Sequence, residues 1–162
     1  MEKNKNVFIS HHHKDDKSVS ALTDLLAGKK FNIRNSSIRV NEKNKERLEK
    51  KQIPRKTLER LLSMKMRWAG TVVVLIGSQT HSREWVNWEL EQAAKQGKRI
   101  IGVHINGASD SDVPANFEKY GDALVGWNSD RIIGAIDGSI NNWEKPNGEP
   151  REGHWSPYRS TC

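Results

Sequence analysis

The feature that most constrains the fold is a run of six residues, Thr71-Val72-Val73-Val74-Leu75-Ile76, closed by Gly70 and Gly77. A strand with one wet face alternates apolar and polar residues. A continuous β-branched run is expected where both faces are covered. Covering both faces takes helices on each side, so this run predicts a parallel sheet inside an α/β domain.

The rest of the chain fits that arrangement. Val7-Phe8-Ile9-Ser10 is a short strand, and Lys17 to Gly28 has Val19, Leu22, Leu25 and Leu26 at helical spacing, with Gly28 as a stop. Phe31–Arg34 and Ser37–Val40 both alternate around the Asn35-Ser36 turn signal, so one or both form a second strand. Lys43 to Lys51 is charged and helical in preference, and Pro54 suits the first turn of a helix carrying Leu58, Leu61, Leu62 and Met66. The spacing predicts a helix over 82–97 with Ser82 as N-cap, and a strand over 99–105. A loop is expected over 106–116, a strand over Ala123-Leu124-Val125, and a last helix from Arg131 to Trp143. Residues 1–143 are therefore expected to form the domain. Residues 144–162, rich in Pro, Gly and charge, are expected to form an irregular tail that docks through Trp155 and Tyr158. Five strands in this length predict a flavodoxin-like single domain of order 2-1-3-4-5, mainly parallel, with helices on both faces.

In that order the ligand crevice opens at the carboxyl ends of strands one and three. Two polar loops leave those ends, Ser10-His11-His12-His13-Lys14-Asp15-Asp16 and Ser78-Gln79-Thr80-His81-Ser82. Hydrogen-bonding groups converging there suit a small polar ligand. The 82–97 helix adds a carboxylate. Val86, Leu90, Ala93 and Gly97 share the stripe facing the sheet, Glu89 lies at its edge, Trp85 is one turn earlier, and Trp88 points elsewhere. Burial raises a carboxyl pKa and a helix N-terminus lowers it, so spacing alone leaves the sign for Glu89 open.

Charge and composition narrow the remaining classes. The net charge is +7, but residues 1–68 carry 18 basic and 8 acidic groups, a net of +10, and the remainder a net of −3. Such a half suits an anionic partner or simple solubility. The basic half lacks the aromatic interleaving of single-strand binders and has no DNA-reading motif, so nucleic acid is not expected as a partner. No window nears the ~18 apolar residues of a membrane span, and the first residues show no signal-peptide pattern. The lone cysteine, Cys162, excludes a disulfide or a Cys-based zinc site within one chain. A cytoplasmic setting without membrane attachment is expected.

At this point the residues resemble a known family. Val7-Phe8-Ile9-Ser10, Val72–Gly77, Ser82-Arg83-Glu84-Trp85-Val86-Asn87-Trp88-Glu89 and Ile100-Ile101-Gly102-Val103 are similar to TIR domains. The likeness is greatest to bacterial TIR-like proteins of the kind found as TIR subunits of Thoeris anti-phage systems, and it covers roughly residues 6–140. The resemblance implies NAD⁺ cleavage with Glu89 as the catalytic residue and Trp85 beside the nicotinamide-ribose site. It implies that Ser10, His11 and His12 line the nicotinamide pocket, and Ser78 falls on the facing loop. Where the family often has an aromatic and a basic residue after strand one, this chain has three histidines. The resemblance further implies NAD⁺ as substrate with no separate cofactor, a phage-derived trigger, and a diffusible ADP-ribose-derived signal to a separate effector protein. It also implies possible self-association through the basic 39–67 region.

Other readings stand beside this one. The His11–His13 run, with His81, could bind a metal, although its spacing suits a loop better, and no metal is expected. Glu89 could be a solvated helix residue paired with Arg83 or Lys95, and Lys43 to Arg67 a solvated helical face. A non-catalytic TIR-like interaction module would use Trp88 and Trp143 as exposed aromatics. A nucleoside deoxyribosyltransferase would also place a glutamate at a sugar.

Overall fold

The structure is a computed structural model; it describes residues 3–11, 16–35, 55–77, 84–105, 113–145 and 148–149. Five strands form one sheet: β1 (Lys3–Ser10), β2 (Phe31–Asn35), β3 (Thr71–Ile76), β4 (Arg99–His104) and β5 (Ala123–Val125). Their order is β2-β1-β3-β4-β5, and every neighbouring pair is parallel. This is the doubly wound, flavodoxin-like arrangement predicted from the strand run. The helices are α1 (Asp16–Ala27), α2 (Arg55–Arg67), α3 (Glu84–Lys95), α4 (Ala115–Tyr120) and α5 (Ser129–Asp137).

Alternation along the strands divides the interior into two cores. Val7, Ile9, Val73, Leu75, Ile101 and Val103 meet Val19, Leu22 and Leu26 of α1 and Ile132, Ala135 and Ile136 of α5. Phe8, Val72, Val74, Ile76 and Ile100 meet Leu62 and Met66 of α2, Val86, Leu90 and Ala93 of α3, and Phe117 of α4. All six β3 residues are buried, as a strand covered on both faces requires. Side chains two apart on a strand share a face. Ser10 therefore lies on the same side as Phe8, the side covered by α2 and α3.

Several local expectations change. The 106–116 loop does not run through to residue 116, because α4 begins at Ala115 after Pro114. A proline lacks the N–H that the first turn would leave unbonded, so it starts a helix without loss. Asn116 then ties α4 to α3, donating from its amide to Asn87 Oδ1 (3.1 Å) and from Nδ2 to the Asn87 carbonyl (2.6 Å). The last helix stops at Asp137 rather than Trp143. Gly138 takes the left-handed conformation (φ 95°) and its amide bonds back to Gly134, a glycine C-cap. Trp143 instead forms a parallel bridge with Leu124 and packs on Phe117, with ring centroids 4.9 Å apart.

That bridge covers the β5 edge, which would otherwise expose unpaired backbone groups. Glu144 fixes it in place. Its carboxylate accepts from the Gly126 amide (3.1 Å) and from Arg131 Nε (2.8 Å), and Arg131 Nη2 pairs with it as well. Its carbonyl lies 3.0 Å from His104 Nε2.

Trp143 is buried and Trp88 half-buried, so neither is the exposed contact aromatic that an interaction module would need. Among the described residues, the exposed large apolar side chains are Leu61, Met64 and Trp68 on or just after α2, and Trp127. Leu61 thus turns outward instead of joining Leu62 and Met66. The 37–40 strand, the 43–51 helix, the Ser82 cap and the docking residues Trp155 and Tyr158 lie outside the described residues. Among the described residues no helix is long and apolar enough to cross a membrane.

Gly102 on β4 provides a test of this packing. A Cβ there would sit 2.7 Å from Phe117 Cζ, 2.9 Å from Leu124 Cδ1 and 3.0 Å from Ile76 Cδ1. Gly102→Ala is expected to cost ~1–3 kcal/mol through overpacking, read as a lower urea midpoint at unchanged slope.

Candidate active site

In a parallel sheet of this order, β1 and β3 lie side by side, with Ser10 registered against Val74. Helix α3 follows β3 and returns over the same face. Its apolar residues Val86, Leu90 and Ala93 are buried, which fixes its rotation. Gly97 does not extend the stripe; its positive φ of 68° ends the helix.

That rotation carries Glu89 further inward than the edge of the stripe. Glu89 is only 7% exposed, and Ser10 is fully buried. The two meet across 79 residues of chain, the Ser10 hydroxyl donating to Glu89 Oε1 at 2.9 Å. Glu89 is therefore not a solvated helix residue; Lys95 pairs instead with Glu91, at 3.6 Å. Burial pushes the Glu89 carboxyl up to about 8, and the Ser10 hydrogen bond pulls it partly back. Desolvation thus outweighs the hydrogen bond. At neutral pH the carboxyl of this site holds its proton.

Trp85, one turn before Glu89, is half-buried. Its ring packs edge-on against Trp88, with centroids 5.5 Å apart and planes at 77°. Trp88 thus supports Trp85 rather than pointing away from it. On the Trp85 ring sits the guanidinium of Arg55, from the first turn of α2, 4.9 Å from the centroid. Arg55 Nε also donates to Glu59 Oε1 at 2.9 Å. Sequence reasoning left Arg55 within a solvated helical face. The available signal was Arg55-Lys56 directly after Pro54, two cations in a first turn that has no acidic residue.

His11 is half-buried just past the end of β1, its Nδ1 3.3 Å from the Ile9 carbonyl oxygen. His12 and Ser78 lie outside the described residues, as do His13 and His81 of the metal alternative. The structure therefore brings Ser10, His11, Trp85 and Glu89 to one edge of the sheet. Among the described residues, no group of three or more His, Cys, Asp or Glu side chains is placed to hold a metal ion.

A parallel five-stranded sheet of this order is the arrangement expected of a TIR-like domain. The family model for the Thoeris protein ThsB TIR-like domain matches residues 8–110, and the chain belongs to that family. It is also similar to the protein named "Putative cyclic ADP-D-ribose synthase ThsB1" of Bacillus cereus (strain MSX-D12). The two are 42% identical over 53 residues, which is 33% of this chain. The match spans 28% of that relative's length.

The raised Glu89 carboxyl makes a stability prediction. In the folded chain the group holds its proton up to about pH 8, whereas unfolded it loses it near the ordinary value of 4.5. Stability should fall as pH rises through that window and level off above it. At ~1.4 kcal/mol per pH unit, the loss across the window is about 5 kcal/mol. Glu89→Gln retains an acceptor for Ser10 and removes the titration. Its Tm should rise above that of the unaltered chain as pH goes from 5 to 9, by roughly 10 °C, in thermal scans at fixed ionic strength.

Proposed function

We propose that this chain cleaves the nicotinamide–ribose bond of NAD⁺ and converts the ADP-ribose part into a nucleotide signal in anti-phage defence. The observation that carries the proposal is the desolvated Ser10–Glu89 pair beside Trp85, at the sheet edge where this topology opens its ligand crevice. Membership of the ThsB family and the name of the Bacillus cereus relative support it.

Breaking the bond between ribose C1′ and the pyridinium nitrogen sends the bonding pair to nitrogen. Neutral nicotinamide leaves and positive charge develops on the sugar, as in glycoside hydrolysis. A leaving group that departs neutral needs no general acid. What the site must supply is negative charge next to the ribose. Glu89 supplies it as the carboxylate, the form in which it accepts from the ribose hydroxyls and stabilises the cationic transition state. The cationic pyridinium of bound NAD⁺ favours ionisation of a neighbouring carboxyl. Substrate binding therefore draws the Glu89 proton off to water, and an acid that is neutral in the free protein becomes the anion that the chemistry uses.

Ser10 holds Oε1 in place, leaving Oε2 for the sugar. Trp85 forms an aromatic wall beside the nicotinamide ribose, His11 stands just past the end of β1 on the side of the base, and His12 and Ser78, on the loops after β1 and β3, are assigned as further substrate contacts. The attacking group then sets the product. Water gives ADP-ribose, a hydroxyl or ring nitrogen of the same molecule gives a cyclic isomer, and an outside nucleophile gives a conjugate. The cyclic or conjugated product fits a signal for a separate effector protein. No cofactor beyond the substrate takes part. Activity follows a phage-derived trigger in the cytoplasm, with self-association of the chain as one means of switching.

The test is chromatography with mass spectrometry of NAD⁺ in lysates of cells making the chain or Glu89→Gln, with and without phage. A new ADP-ribose-derived product should appear with the unaltered chain and fall at least ~10²-fold with the variant. No loss of NAD⁺ under any challenge overturns the reading. In purified, active protein, kcat/KM should rise with pH towards the Glu89 value of about 8. Ser10→Ala, which removes the bond that lowers that value, should move the rise to higher pH.

A further inference from the structure

We propose that Arg55 binds the diphosphate of a dinucleotide substrate, with Trp85 as the platform that aims its guanidinium. The proposal rests on the NAD⁺ reading and adds to it the means by which the site selects a phosphate-bearing substrate over a bare nucleoside.

Position comes first. In a doubly wound sheet the helices run antiparallel to the strands, so α2 and α3 both begin at the carboxyl edge. Glu89 lies one turn down α3, against Ser10 of the sheet. Trp85 lies one turn nearer the rim, and the Arg55 guanidinium is stacked on it at 4.9 Å. One helical turn is ~5.4 Å. Carboxyl, indole and guanidinium thus form a rising series from the buried floor to the rim. A nucleotide has the same series. Its anomeric carbon is the reacting centre, the ribose comes next, and the 5′ phosphate lies beyond.

The chemistry of the arginine agrees. A planar guanidinium recognises phosphate oxygens with paired donors, and stacking on an aromatic ring leaves its edges as the donating surface. Glu59 takes the Nε edge and with Trp85 fixes the orientation. The side chain is half exposed at this rim. Arg55 and Lys56 also stand in the first turn of α2, which has no acidic residue. Cations at the positive end of a helix run against its dipole, and their presence here makes this rim a basic one.

The test uses full-length Glu89→Gln, in which NAD⁺ remains intact, and measures calorimetric binding of NAD⁺ and of nicotinamide riboside. Adding Arg55→Gln should weaken NAD⁺ binding ~10–100-fold, as expected for loss of a charged hydrogen-bonding partner, and leave nicotinamide riboside unchanged. Arg55→Lys should recover part of the loss by restoring the charge without the fork. A matching thermal midpoint for the single and double variants excludes loss of folding. Equal weakening of both ligands would make Arg55 a mere prop for Trp85 and overturn the proposal. Unchanged NAD⁺ binding, or none in the Glu89→Gln parent, would overturn it too. Turnover by the unaltered chain with no Arg55 dependence removes this inference and spares the proposed function. Arg55-dependent binding without turnover does the reverse.

Discussion

The hydrogen bond between Ser10 and Glu89 depends on almost every long-range feature of this fold. Its partners are 79 residues apart. They meet only if β1 and β3 are neighbours, if β1 turns its even-numbered side chains towards α3, and if α3 is rotated to place Glu89 inward. Each condition has its own cause. The parallel pairing places Ser10 beside Val74. Alternation puts Ser10 on the side of Phe8. Burial of Val86, Leu90 and Ala93 sets the rotation of α3. Magnitudes show why the arrangement survives. A buried polar group with incomplete partners costs ~1–3 kcal/mol, while full burial of a valine or leucine contributes ~1.5–3 kcal/mol each. The apolar stripe of α3 therefore outweighs the carboxyl that it carries into the interior.

Much of this was legible from residue patterns because it follows from local rules. The β-branched run at 71–76 predicted a strand covered on both faces, and the sheet order followed from the alternation of strands and helices. The period of α3 placed Glu89 and Trp85 on adjacent turns. What escaped was set by three-dimensional context. The sign of the Glu89 shift depends on how much water the surrounding elements remove, which no helical wheel reports. α4 is one and a half turns long and begins at a proline in a polar segment, so periodicity had too few residues to register. The apolar spacing continues beyond Gly138 and so predicts a final helix that reaches Trp143. The left-handed turn at that glycine redirects the chain to the β5 edge, and Trp143 and Glu144 become a seal for the sheet instead of a helical face.

The same context reassigns the aromatics. Trp143 became core once the chain turned back over Phe117, and Trp88 became a brace for Trp85. Exposure passed instead to Leu61, Met64 and Trp68, on the side of α2 away from Leu62 and Met66. Spacing identified α2 as amphipathic but counted Leu61 on the wrong side. With leucines on adjacent positions, one residue is 100° of rotation, and only the contact with the sheet decides which of the two is inside.

The site combines two environments that a single location could not provide. At the floor, lack of water holds a carboxyl in its neutral form in the free protein. At the rim, half-exposed Arg55 carries a permanent charge beside solvent and Glu59. A carboxylate held permanently charged at the floor would carry the cost of burying an anion throughout the life of the folded chain. A carboxyl that ionises only when a cationic ring is bound incurs that cost together with its compensation. The dinucleotide substrate proposed above is cationic at the ring and anionic at the diphosphate. It would supply the positive charge the floor lacks and the negative charge the rim attracts. Binding energy gained at the rim can then offset ionisation at the floor, which is how contacts remote from the breaking bond come to lower its barrier.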